Sequence, residues 1–86
     1  MYQTLHETIR VAGVFAHGKF KPVWFDWHNE QFKISQITLI SKIKDGGRQQ
    51  QLYSIVVGND VFRLLFDLQT HDWFVEAVWV DEGGAR

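Results

Sequence analysis

The sequence predicts an all-β fold, a single antiparallel meander of five or six strands, strongly curved or closed into a small SH3-like barrel. Three observations predict it. The apolar runs are short and rich in Val, Ile, Phe, Trp and Thr, residues that suit a pleated, half-buried surface. Turn signals such as Gly18, Gly46-Gly47 and Gly58-Asn59 separate the runs. The connections are too short for parallel crossovers, and strand twist favours curling over a flat sheet at this size.

Six runs carry the pattern: Leu5–Ala16, Val23–His28, Phe32–Ile43, Leu52–Val57, Val61–Leu68 and Trp73–Asp81. A turn centred on Asn29-Glu30 joins the second run to the third. It sets Trp27 opposite Phe32, Phe25 opposite Ile34 and Asp26 opposite Lys33, an opposite-charge pair on the other face. A four-residue loop from His28 to Gln31 keeps the same pairs. The third run needs a bulge near Ser35-Gln36 to bring Ile34 and Ile37 into phase. Gly46-Gly47 reads as the next hairpin turn. A Gly58-Asn59 turn sets Ile55 opposite Phe62 and Tyr53 opposite Leu64. A loop at Gln69–Asp72 sets Leu68 opposite Trp73, Phe66 opposite Val75, Leu64 opposite Ala77 and Phe62 opposite Trp79. Both registers place Tyr53, Ile55, Phe62, Leu64, Phe66, Leu68, Trp73, Val75, Ala77 and Trp79 on one core face. Phe62, Leu64, Phe66, Trp79, Phe25 and Ile34 are the expected core. Val61, Leu64, Leu65 and Leu68 also fit a helical template, as do the isoleucines between Ile34 and Ile43. Hairpin partners favour strand for the first, and β-branched content favours it for the second.

The chain has 86 residues, a net charge of −1 and no Cys. Residues 1–86 are one domain, with its core between about 5 and 81 and a frayed tail over 82–86. The absence of Cys excludes a disulfide scaffold and a thiol nucleophile. No apolar run is long enough for a membrane-spanning helix, and Met1-Tyr2-Gln3-Thr4 does not open a signal peptide. Residues 1–44 hold six basic and three acidic side chains, and residues 45–86 hold three and seven. In a closed sheet that asymmetry gives a basic side and an acidic side; the plainer reading is a solvated surface.

His6, His17, His28 and His71 have no metal-ligand spacing, so neither a metal nor a cofactor is expected. Asp26 and His28 with Ser41 or Ser54 are the only triad candidates. No Ser stands in a nucleophile-elbow pattern, and the chain is expected not to be an enzyme. Two surfaces are candidates instead. The outer face of the last three strands carries Phe74, Val78, Val80, Leu65 and Val61. Either the sheet curls so that strand one or its own rim covers this face, or the face suits a protein partner or a homodimer. A final strand with apolar side chains, unless strand one pairs with it, is an edge that pairs readily with another chain. Lys19, Lys21, Trp24, Lys33 and Lys42 form a candidate nucleic-acid or ligand surface, since an aromatic ring among lysines can stack a base.

The run Pro22-x-x-Phe25-x-Trp27, then Phe32-x-Ile34-x-x-Ile37, resembles the first half of a small bacterial all-β domain of unknown function. That domain also occurs near the C-terminus of some proteins related to Y-family DNA polymerases. Leu52-Tyr53-Ser54-Ile55, Val61-Phe62-Arg63-Leu64-x-Phe66-Asp67, Trp73 and Val80-Asp81 are similar to its second half. The resemblance spans about Ile9 to Asp81. Members often carry an aromatic, arginine-rich stretch where this chain has Ser41–Arg48 without an aromatic. The resemblance implies a bacterial, cytoplasmic protein and no specific activity. The residues themselves lead to the expectation of a non-catalytic binding or assembly module, with a nucleic-acid accessory module as the alternative.

Overall fold

The computed structural model describes residues 1–80. The expected tail over 82–86 and the closing Asp81 lie outside the described residues. Among the described residues seven strands form one antiparallel sheet and there is no helix. They are β1 (Tyr2–Ala16), β2 (Lys19–Trp27), β3 (Glu30–Lys33), β4 (Gln36–Asp45), β5 (Arg48–Val57), β6 (Asp60–Asp67) and β7 (Trp73–Trp79). The spatial order is β3-β2-β1-β7-β6-β5-β4. Two meanders, β1 to β3 and β4 to β7, are joined where β1 pairs with β7. The expected count of five or six strands is corrected to seven, because the run Phe32–Ile43 is two strands broken at Ile34-Ser35. The sheet curls but does not close as a barrel: β3 and β4 are its two edges.

Two-residue turns build four hairpins. They are His17-Gly18, His28-Asn29, Gly46-Gly47 and Gly58-Asn59, flanked by the pairs Ala16 with Lys19, Trp27 with Glu30, Asp45 with Arg48 and Val57 with Asp60. His28 and Asn29 both adopt positive φ, as a tight hairpin turn of matching twist requires. This turn lies one residue earlier than expected, and the longer His28–Gln31 loop does not form. Phe25 therefore faces Phe32, Asp26 faces Gln31, and Lys33 faces Trp24. A slip of two residues preserves the inward face, so Phe25 and Phe32 still meet, with ring centroids 5.2 Å apart.

The β5–β6 register is as the Gly58-Asn59 turn predicts, with Ile55 opposite Phe62 and Tyr53 opposite Leu64. The β6–β7 register is not. The Asp67 carboxylate accepts hydrogen bonds from the backbone N–H of Gln69 at 2.8 Å and Thr70 at 3.2 Å. That capped turn takes Leu68 out of the strand, and Phe66 pairs with Trp73. The same register sets Leu64 opposite Val75, and a bulge between Arg63 and Leu64 then shifts the ladder, setting Phe62 opposite Val78. Val78 packs on the core and Trp79 turns outward to 40% exposure.

The core is Ile9, Phe25, Tyr53, Ile55, Phe62, Leu64 and Val75. Of the six expected core residues, Phe25, Phe62 and Leu64 are buried, while Phe66 and Ile34 pack half-buried against them. Trp79 and Leu68 are corrected to exposed positions, for the reasons of register just given.

Candidate functional site

The opening in the sheet begins at Ile34-Ser35, the two residues between β3 and β4. The Ile34 N–H donates to Val23 O on β2 at 2.8 Å, and the Ser35 N–H donates to Val56 O on β5 at 2.7 Å. Those two bonds tie the Ile34-Ser35 link to β2 on one side and to β5 on the other. Beyond it the edges are free. β3 pairs with β2 only over Trp24–Trp27, so Lys19–Val23 has β1 on one side and no strand on the other. β4 is paired with β5 along its length and has no strand on its outer side. A depression of about 390 Å³ sits at this junction, lined by Lys21, Pro22, Val23, Ile34, Ser35, Gln36 and Ile37.

Charge follows the same geometry. The chain's five lysines are Lys19, Lys21, Lys33, Lys42 and Lys44, all on β2, β3 and β4 and all exposed. Segments 19–25 and 31–44 contain no Asp or Glu. Among the described residues no lysine lies within ion-pair distance of a carboxylate. The arginines among the described residues are engaged: Arg10 with Asp26 at 2.9 Å, Arg48 with Asp67 at 3.6 Å, and Arg63 over the Tyr2 ring at 3.8 Å. The structure thus gathers the lysine candidates on the strands that border the opening. Trp24 lies half-buried on the outer face between Ala12 of β1 and Lys33 of β3. Lys42 lies on β4, an edge strand that pairs with neither β2 nor β3. Lys44 and the free backbone of β4 escaped the sequence reading. The signal was Ser35, a small polar residue interrupting a β-branched run.

The apolar candidates fare differently. β7 is not an edge, because β1 pairs with it. The edge placement that suggested strand-to-strand dimerisation through it is therefore corrected. Leu65 is buried, and Val61 is half-buried. Val78 packs on the core, so it is removed from the outer face. Phe74 is half-buried with the His6 ring stacked on it at 4.6 Å. Val80 stays exposed and donates its N–H to Met1 O at 2.8 Å. More exposed apolar side chains stand elsewhere: Phe15 at the β1–β2 tip, 72% exposed, and Leu39 and Ile40 on β4.

A second depression, of about 470 Å³, lies at the β2–β3 turn beside Arg10, Asp26, Trp27 and His28. Close to it, Glu7 accepts from Trp27 Nε1 at 2.8 Å and pairs with His28 Nε2 at 2.8 Å. The indole and imidazole bonds hold the Glu7 carboxyl below its ordinary pKa. His28 engages Glu7 and Asp26 engages Arg10, while Ser41 and Ser54 stand on β4 and β5. The triad candidates are not brought together. Among the described residues no three His, Asp or Glu side chains converge as a metal site would need.

No family model, no curated protein and no solved structure matches this chain. Among the described residues no helix is long and apolar enough to cross a membrane.

Proposed function

We propose that this protein is a non-catalytic binding module for an anionic partner, with the lysine-bordered opening between β2 and β4 as its working surface. One observation carries the reading: five exposed lysines without carboxylate partners among the described residues stand on β2, β3 and β4, the strands on either side of the Ile34-Ser35 junction. Ammonium groups left unpaired across a carboxylate-free border raise the local positive potential despite a net charge of −1. Such a potential attracts a polyanion and fixes its orientation more than it adds affinity. The test is binding of a fluorescent polyanion such as polyglutamate over a salt series. Affinity that falls as salt rises, and falls again when Lys21, Lys33 and Lys42 become Gln, supports the reading. Salt-independent binding, or none, rejects it.

A nucleic-acid accessory module is the second reading. Trp24 beside Lys33 favours it, as a half-exposed ring next to a cation can receive a base. The resemblance to the small all-β domain adds an analogy to DNA polymerase-associated proteins and a bacterial, cytoplasmic setting.

A further inference from the structure

We infer that the partner is an extended peptide rich in acidic residues, which adds as a strand along the free edge of β4. The inference rests on the lysine-bordered surface proposed above and names what fills it.

β4 offers ten residues, Gln36–Asp45, with a neighbour on one side only. Half of the backbone N–H and C=O groups of such a strand point away from its neighbour and seek partners. An extended peptide supplies a complete set of them, and the alternating side chains then find pockets. Side chains suited to this are present. Ile37 borders the 390 Å³ depression, whose lining mixes Pro22, Val23 and Ile34 with Lys21, Ser35 and Gln36, at the start of the edge. Leu39 and Ile40 follow, 58% and 52% exposed. Lys42 and Lys44 end the row, and Lys19 and Lys21 stand on β2 across the gap. A peptide lying here meets an apolar end and a cationic end.

The other occupants fit less well. A single-stranded nucleic acid binds by stacking bases on rings, and β4 has no aromatic residue. Phe32, on the preceding strand β3, is turned inward against Phe25, Trp27 and Phe62. A nucleic acid would also leave the free backbone donors of β4 without strand partners. A second copy would bring the same lysines toward the same border, and edge lysines are a known device against self-pairing. Only an anionic chain with its own strand backbone satisfies both the charge and the edge.

The test uses a fluorescein-labelled ten-residue peptide of alternating Val and Glu, the same peptide N-methylated at every second residue, and a ten-nucleotide oligo-dT. Anisotropy reads affinity, and two-dimensional amide NMR on the whole protein reads the site. The expected result is binding of the plain peptide with amide shifts concentrated over Gln36–Asp45. Lys42→Glu with Lys44→Glu should weaken it about tenfold, and N-methylation should weaken it at least as much, because it removes ladder donors. Unchanged NMR dispersion in the double variant shows that the variant is folded. Oligo-dT binding that depends on Lys42 and Lys44, with no peptide binding, overturns strand addition and leaves the cationic surface standing. No binding of either probe overturns both. Equal binding of the plain and N-methylated peptides, or shifts centred on β7, overturns strand addition. A concentration-dependent dimer that loses the β4 shifts assigns the edge to a second copy instead.

Discussion

The Trp27 indole donates to the Glu7 carboxylate at 2.8 Å, and His28, stacked on Trp27 at 4.2 Å, meets the same oxygen. One carboxylate thereby ties the β2–β3 turn to β1. Its pKa is lowered chiefly by the indole bond, then by the bond to His28. A lowered carboxylate stabilises the fold fully above its unfolded pKa. That contribution is lost as pH falls through the lower, folded value. Denaturant unfolding measured between pH 7 and pH 3 should show stability falling at the acid end. Glu7→Gln, which keeps an acceptor but cannot titrate, should make that fall shallower. An unchanged acid profile in Glu7→Gln would remove Glu7 from the account.

Core substitutions separate the observed register from the expected one. Phe62 is 3% exposed and contacts Phe25, Trp27 and Phe32 through ring centroids 5.5–5.9 Å away. Phe62→Ala should cost about 3–5 kcal/mol, enough to unfold a domain of ordinary stability. Trp79 is 40% exposed and meets Tyr2 edge-on at 5.1 Å. Trp79→Ala should cost less than about 2 kcal/mol. Guanidinium unfolding of the two variants checks the pair. Equal losses would restore the simple register without the bulge.

Turn chemistry decides what the sequence revealed. Gly58-Asn59 announces its hairpin, and the β5–β6 ladder follows correctly from it. The β6–β7 ladder does not, because Asp67 looks like an outward strand residue and is a turn cap. The histidines mark bends that the sequence reading did not assign to them. His6, His17, His28 and His71 all adopt positive φ, between 53° and 63°. Three sit in turns and His6 in the β1 bulge, a conformation that His visits more readily than branched residues. Their scatter is the spacing of bends, not a failed ligand set. The inward face was legible because apolar alternation survives a slip of two residues. The open edge was not, because Ile34-Ser35 breaks a strand without Gly or Pro. The lysines were legible by type, but only the topology makes them neighbours of one gap.

The Asp67 cap gives a separate prediction. Its side chain is 3% exposed, and the N–H groups of Gln69 and Thr70 hold its pKa low, with Arg48 adding to the effect. Asp67→Ala removes the acceptor and leaves two turn donors without it. Asp67→Asn keeps a carbonyl oxygen in place. Thermal unfolding should rank wild type above Asp67→Asn and Asp67→Asn above Asp67→Ala. Equal Tm values for the two variants would mean that the carboxylate charge, not the cap, sets the turn.

Gly13 tests the strand that borders the opening. The β1–β2 ladder shifts between Ala12 and Gly13, where Val23 is the extra residue between Pro22 and Trp24. The same Val23 offers its carbonyl to Ile34 across the junction. At Gly13 the two backbones approach so closely that an added Cβ would fall 2.1 Å from Lys21 O and 2.8 Å from the Phe20 ring. The ring could turn aside, but the carbonyl belongs to the paired strand and can yield only if β2 moves. Gly13→Ala should therefore destabilise the protein by roughly 1–3 kcal/mol through overcrowding. Gly18→Ala is a useful contrast. Its Cβ would meet open space, and its only strain comes from a φ of +73°. Moving β2 at Lys21 also displaces one border of the opening. Gly13→Ala should thus shift the amide resonances of Val23 and Ile34, and Gly18→Ala should leave them in place. Unperturbed Val23 and Ile34 signals in Gly13→Ala would show that the bulge absorbs the methyl group and that the junction is independent of the β1–β2 register.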